Sequence, residues 1–313
     1  MRACVDGLVA ISRTVADLAR TEAFYRDGFG FRRLGPVEGI PAAMLEALGL
    51  PEASGGRLRM GLGRQSIEFL AFDVPGQRYP VGAGANDPWF QHAAIVVSDM
   101  DRAFARVEAL GPVPISRGGP QVLPPSSGGV TAWKFRDPDG HPLELIAFPE
   151  GGAGRWTRAL GLFAGLDHSA IAVTDIEASL AFFRDGLGLR LTARGLNAGP
   201  EQATLDGLPD PVVDVIALSP SGVATPHVEL LHYRTPPAPA APLPLTARDR
   251  ATSRLCFGID DLPALLARLA EARPEHAVLR SGDGHMAGLT GPDGHGILLM
   301  ARRDTDGGAV GPA

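Results

Sequence analysis

The chain repeats itself, and that repetition limits its possible folds more tightly than any other feature. VADLARTEAFYRDGFGF (15–31) and VTDIEASLAFFRDGLGL (173–189) match at a shift of 158 residues, near half of the 313-residue chain. Within each half a weaker copy follows, VSDMDRAFARVEALGP (97–112) and IDDLPALLARLAEARP (259–274). Self-similarity on this scale marks a supersecondary unit that cannot bury its apolar face alone. In every copy an aspartate stands where a helix N-cap is needed, at Asp17, Asp99, Asp175 and Asp261. Apolar residues then recur at helical spacing, as at Ile176, Leu180, Phe183 and Leu187. Gly28, Gly111 and Gly186 are placed to end three of these helices, and the fourth runs into Pro274.

Before each helix lies a short apolar or β-branched run, such as HAAIVV (92–97) and HSAIAV (168–173). After it come short runs broken by Gly and Pro, ending in an apolar strand. The unit is therefore a strand, a helix and about three more strands, used four times. The connectors DVPGQRYPVGAGANDP (73–88), PEGGAGRWTRALGL (149–162) and TPPAPAAPLPL (235–245) are rich in Pro, Gly and Ala. They read as linkers, the last one extended. A small sheet with one helix leaves apolar surface uncovered, so the units should pair.

The bulk properties remove several classes of partner. A formal charge of −6, with no basic run to reverse it locally, gives no attraction to nucleic acid or an anionic membrane. The opening MRACVDGLVAISRTVADLAR carries Asp6 and Asp17 and no long apolar core, so neither a signal peptide nor an anchor is expected. No later run approaches the length of a membrane-spanning helix. Cys4 and Cys256 lack a metal-type spacing, which suits a reducing cytoplasm and argues against a disulfide scaffold or a Cys-zinc site. The expectation is a cytoplasmic protein with a small-molecule partner, as a monomer or homodimer.

The chemistry-bearing residues follow the repeat. Seven residues before each capping aspartate, at the start of the first strand, stand Ala10, His92, His168 and Arg254. Three copies close on SIEFLAF (66–72), PLELIAF (142–148) and HVELLHY (227–233), which share Glu68, Glu144 and Glu229. Aligned on PDGH, FRDPDGHPLELIAF (135–148) and GLTGPDGHGILLMA (288–301) set Glu144 against Leu298. A glutamate flanked by apolar residues lies in a largely buried strand and needs a cation, a donor or a raised pKa. A lone strand histidine is usually structural. The matched spacing of His92 and His168, with partner carboxylates, points instead to metal ligands. His227, two residues before Glu229 and on its face, is expected at a pocket rim. His141 and His295 sit in PDGH turns, where turn or surface packing is expected. Trp89, Phe90 and Trp133 read as core or interface packing.

The unit, the DPDGHPLEL phrase and the paired His and Glu positions resemble the vicinal oxygen chelate superfamily, which includes glyoxalase I, methylmalonyl-CoA epimerase, extradiol dioxygenases and bleomycin-resistance proteins. The resemblance covers nearly the whole chain as four βαβββ modules at 1–73, 88–149, 164–234 and 250–302. It implies an α+β fold in which the modules form two glyoxalase/dioxygenase-type domains with metal-binding cups, one from each half (1–150 and 164–302). It also implies that two modules share one divalent metal, held by first-strand His and last-strand Glu residues.

Two pairings are open. If module 1 pairs with 2 and module 3 with 4, one cup has Glu68, His92 and Glu144, and the other has His168 and Glu229 beside Arg254. If 1 pairs with 4 and 2 with 3, one cup gathers His92, Glu144, His168 and Glu229. The other then keeps Glu68 beside Arg254, where an ion pair is expected. The second arrangement sorts the residues more cleanly. Mixed nitrogen and oxygen ligands suit Fe, Ni, Co, Zn or Mn.

By resemblance, the leading expectation is a metal-dependent isomerase, epimerase or lyase acting through an enolate or enediolate of a substrate with two adjacent oxygens. Glu144 or Glu229 would be the catalytic base. An Fe(II) ring-cleaving dioxygenase wants three protein ligands, usually two His and one Glu. A metal-free protein that binds a drug or natural product needs only an apolar cleft. Fold alone does not choose among them.

Overall fold

Each repeat folds as the strand–helix–strands unit its pattern dictates. The computed structural model describes residues 4–152, 154–158, 161–239, 245–272 and 276–302. Pro274 and residues 240–244 of the third connector lie outside them. The opening strands are Gly7–Thr14, Gln91–Val97, Phe163–Ala172 and Ser253–Ile259. The helices begin at Leu18, Met100, Ile176 and Leu262. All four aspartates cap as expected: Asp17 accepts from the Ala19 and Arg20 amides, Asp99 from Arg102, Asp175 from Ala178 and Asp261 from Ala264. The first helix, Leu18–Phe29, ends at Gly30 and not at Gly28, because Gly30 takes the left-handed φ of 77° that closes the turn. No described helix is long and apolar enough to cross a membrane.

The modules combine into two nine-stranded mixed sheets. In each, two opening strands lie antiparallel at the centre, and each is flanked by the parallel closing strand of its own module. One sheet joins modules 1 and 4, through Gly7–Thr14 against Ser253–Ile259. The other joins modules 2 and 3, through Gln91–Val97 against Phe163–Ala172. Each sequence half therefore gives one module to each sheet.

Strand alternation splits each sheet into two faces. The helix-bearing faces of both sheets meet in one apolar core that includes Phe29, Phe69, Phe135, Phe183 and Phe257. Phe29 of module 1 stacks on Phe135 of module 2, with centroids 6.2 Å apart, and meets Phe163 of module 3 edge-on at 5.6 Å. The opposite faces curl into cups.

The cup of modules 1 and 4 is filled from inside. The short helix Ala42–Ala47 sets Met44, Leu45 and Ala47 against Leu70, Phe72, Cys256 and Leu298. It comes so close that a Cβ on Gly288 would stand 1.8 Å from the Ala47 carbonyl oxygen. Leu298 is thus one wall of an apolar plug, which answers why this copy has no glutamate there.

The PDGH turns are buried locks between the sheets, not surface turns. His141 is fully buried and its Nε2 donates to the Thr14 carbonyl at 2.8 Å. That leaves Nδ1 to accept from the Ser253 hydroxyl at 3.2 Å. Asp139 accepts from the Ala16 amide at 3.1 Å and pairs with Arg20. In the other half His295 Nε2 donates to the Ala172 carbonyl at 2.7 Å, and Asp293 accepts from the Thr174 amide. Module 2 is thereby fixed to module 1, and module 4 to module 3. The first connector is also ordered packing: the Gln77 amide donates to Asp249, and the Tyr79 ring stands edge-on to His141.

Burial, reinforced by the nearby Arg13 charge, pushes the His141 imidazole down to about 3. The unfolded chain therefore binds a proton here between roughly pH 6.5 and 3 while the folded chain does not, and stability from this residue is lost as pH falls through that window. His141→Gln should lower the unfolding free energy by about 1–3 kcal/mol at neutral pH. In urea titrations, the gap between the unmodified chain and this variant should narrow as pH falls below about 6.5.

Candidate functional site

The open cup of modules 2 and 3 is assembled by strand register. His92 faces Ala170 and Ala94 faces His168 across the antiparallel opening strands, so both imidazoles stand diagonally on the concave face. The parallel closing strands set Glu144 beside Ala94 and Glu229 beside Ala170. The two imidazole Nε2 atoms lie 3.2 Å apart. Glu144 Oε2 is 2.8 Å from His92 Nε2 and 3.5 Å from His168 Nε2. Glu229 Oε2 is 3.6 Å from His168 Nε2. His92, Glu144 and His168 form a set whose ligand atoms all lie within 4.8 Å of one another, and Glu229 joins through His168.

A register shift between Leu166 and His168 adds a second layer. Adjacent strand residues ordinarily point to opposite faces, but a bulge lets both Asp167 and His168 reach the cup. Asp167 Oδ2 is 3.2 Å from His168 Nδ1, and Asp167 Oδ1 accepts from the Trp156 indole at 2.6 Å. Trp156 belongs to the connector read as a linker, which here forms a short 3-10 turn, Gly154–Arg158. His227 reaches inward from the rim: its Nε2 lies 3.2 Å from Glu229 Oε1 and its Nδ1 3.8 Å from Asp167 Oδ2.

The field at this point is strongly negative. Burial disfavours the charged form of His168, yet Glu229, Asp167 and Glu144 outweigh it and hold this imidazole well above the usual histidine range. His92 goes the other way, because burial outweighs Glu144 and keeps it neutral. Burial raises both glutamates, but the neighbouring imidazoles hold Glu144 well below and Glu229 below the ordinary carboxylate range. Asp167 is pushed up by burial and pulled further down, to about 2, by His168 and His227.

These residues fit a divalent cation. Ligand atoms about 2.1 Å from one ion and at right angles stand about 3 Å apart, close to the spacings found here. Three carboxylates that raise the proton affinity of one imidazole would attract a metal by the same field. Asp167 orients His168 from behind, as outer partners of ligating histidines do. His92 has no such partner, and its Nδ1 is buried without one.

The cluster floors a cavity of about 330 Å³ whose other walls include Leu123, Phe148, Val213 and Tyr233. One wall is an ion pair no motif announced. Lys134, directly across from Glu144 in the adjacent strand, reaches Asp206 at 2.7 Å. Asp206 also accepts from Gln202 at 2.6 Å and from the Tyr233 hydroxyl at 3.1 Å. Strand alternation in TAWKFR could have put Lys134 on the cup side, since Trp133 and Phe135 face the core. Asp206 closes a short helix, Pro200–Asp206, and nothing in its own sequence pointed to the cavity.

Glu68 lies in the other sheet and is not brought to His92, so the set Glu68, His92 and Glu144 does not form. Nor does Glu68 pair with Arg254. The neighbouring strand brings Arg57 Nε to 2.5 Å from Glu68 Oε2. Arg254 is held by Ser12, Thr14 and the Ala247 carbonyl. Trp133 and Phe90 pack as expected; Trp133 stacks on Phe135, and Phe90 stands edge-on to His92.

A family model described as the Glyoxalase/Bleomycin resistance protein/Dioxygenase superfamily matches residues 7–145 and 165–299. No curated protein sequence matches this one. Among solved structures, a glyoxalase I variant from Zea mays superposes with a TM-score of 0.63 at 17% identity, over 94% of this chain and 92% of that one. A candidate dioxygenase from Bacillus subtilis subsp. subtilis strain 168 superposes with a TM-score of 0.55 at 16% identity, over 95% and 86%. At such identities the likeness is one of fold.

Restoring the missing carboxylate should not restore a site. Leu298→Glu would bury a charge against Met44 and Leu45, and urea unfolding should show a loss of about 3–5 kcal/mol. The variant should bind no more divalent metal than the unmodified chain.

Proposed function

The chain belongs to the glyoxalase/bleomycin resistance protein/dioxygenase superfamily, and from that premise we propose that it is a divalent-metal-dependent isomerase, epimerase or lyase of a small substrate with two adjacent oxygens. The observation that carries this reading is the convergence of His92, Glu144, His168 and Glu229 at the floor of an open cavity. The equivalent positions of the other cup hold Ala10, Glu68, Arg254 and Leu298 instead.

In this reading His92, His168, Glu144 and Glu229 hold the ion, with Fe, Ni, Co, Zn or Mn suited to the donor set. When bound, such an ion supplies Lewis acidity to two neighbouring oxygens and favours negative charge there. The two glutamates have different tasks. Glu144 is fixed by contacts to both imidazoles. Glu229 is the more exposed of the two and bonds to His227, so it has room to take and return a proton at a substrate carbon. Asp167 holds the His168 ring in place. The apolar walls, with Leu123, Phe148 and Val213, limit the water that reaches the floor of the cavity. Lys134 and Tyr233 face the same space and, through Asp206, fix the far end of the cavity.

A second reading is an Fe(II) ring-cleaving dioxygenase. It is favoured by the compact set of two histidines and one glutamate, with Glu229 drawn aside by His227.

Elemental analysis tests the shared premise. One divalent metal per chain should be lost in His168→Ala and kept in Glu68→Ala, and Asp167→Asn should weaken metal affinity about 10–100-fold. Metal that depends on Glu68, or none at all, would sink the metal assignment and leave a binding protein. Glu229→Gln then separates the two chemistries. The isomerase reading expects about 10²–10⁴-fold slower exchange of substrate C–H for deuterium in D₂O. The dioxygenase reading expects catechol-dependent O₂ uptake.

A further inference from the structure

The cup of modules 1 and 4 retains a buried guanidinium, Arg254, that forms no ion pair among the described residues. Arg254 occupies the position that His168 has in the other cup, opposite Ser12 where His168 stands opposite Ala94. It is 1% exposed. Its Nη1 donates to Ser12 Oγ at 3.3 Å, and its Nη2 donates to Thr14 Oγ1 and the Ala247 carbonyl, both at 2.7 Å. A guanidinium has five N–H donors. Nε–H and the second Nη1 hydrogen therefore have no acceptor among the described residues. Of the nearby carboxylates, Glu68 pairs with Arg57 through Oε2 while its Oε1 has no hydrogen-bond partner among the described residues, and Asp249 accepts from Thr246 and Gln77. Burial pulls the Arg254 guanidinium down to about 10, while the nearby Cys256 and Glu68 pull it up.

Beside Arg254 the plug leaves a cavity of about 240 Å³, lined by Leu48, Ala247, Leu279, Gly288 and Ile297. It reaches the surface at Leu279, which is 46% exposed, and at Thr290. We propose that this cavity is a second binding site, for a small organic carboxylate whose charge is met by Arg254 and whose short carbon chain lies against Leu48, Leu279 and Ile297. One guanidinium matches one negative charge, whereas a doubly charged phosphate would leave a buried charge unmet. The apolar lining favours a hydrocarbon tail over a bare ion. A cavity this small excludes ligands of drug size. The open cup gathers carboxylates that attract a cation; the plugged one has a cation that attracts a carboxylate.

The test is calorimetric titration of the full chain with sodium hexanoate. Sodium chloride at equal ionic strength, 1-hexanol and inorganic phosphate are the controls. The expected result is saturable one-site heat with hexanoate alone. Affinity should fall about tenfold or more in Arg254→Met and in Leu279→Glu, which sets a like charge at the exposed mouth. If Arg254→Met does not fold, Leu279→Glu carries the test. Absence of heat with hexanoate, equal binding of 1-hexanol, tighter binding of phosphate, or affinity unchanged in the folded variants would each overturn the proposal. The site lies outside the cup of modules 2 and 3, so this outcome and the metal content vary independently.

Discussion

The antiparallel pairing of opening strands is the constraint from which the rest follows. It fuses a four-stranded and a five-stranded curl into one sheet, and its register decides which side chains share a cup. With Ala94 opposite His168 and His92 opposite Ala170, both imidazoles face inward two register positions apart. A slip of one residue would turn the entire set toward the core and bring apolar side chains into the cup. The same register governs the other sheet, where Ala10 meets Cys256 and Ser12 meets Arg254. The two cups are therefore comparable position by position at these four sites, where they differ in side chains.

Much of this was legible in the sequence because it is local or periodic. Four Asp caps, an apolar stripe and an alternating closing strand fix each module, and the helices and outer strands follow. The four cup residues were legible because they recur at fixed distances from those signals. What was hidden depends on contacts distant in sequence. His141 reaches a carbonyl 127 residues away and His295 one 123 residues away, and PDGH contains no trace of either partner. Asp167 was hidden for a different reason. Strict alternation sends it to the wrong face, and only the bulge brings it back. The helix Ala42–Ala47 lies among the short runs that follow the first helix, and its place inside the cup depends on contacts with Cys256 and Leu298 far along the chain.

The locks explain how one sheet can hold a charged cluster without losing its shape. Buried charge is costly, and three carboxylates around two imidazoles repel one another whenever the positive charge between them is removed. Strands carrying such a cluster would tend to separate. They are held from behind by the shared aromatic core and by turns whose histidine side chains bond to neighbouring modules. The neutral state of His141 belongs to this logic. A buried imidazole that donates to a carbonyl and accepts from a hydroxyl uses both nitrogens and introduces no charge at the seam.

The plugged cup shows what loss of a site requires. Removing ligands alone would leave Glu68 buried without a partner and an empty hollow against Leu70 and Phe72, and both are destabilising. Arg57 reaches Glu68 Oε2 from the adjacent strand, and Met44 and Leu45 fill the hollow. Gly288 then has to stay small, because the plug's backbone occupies the space a side chain would need. The filled cup adds apolar burial, while the open cup keeps charged groups that packing alone would not select. A fold with two equivalent cups can thus place stability in one and chemistry in the other. Arg254 is where that division is incomplete, since packing alone would not place in the interior a guanidinium that has no ion-pair partner among the described residues.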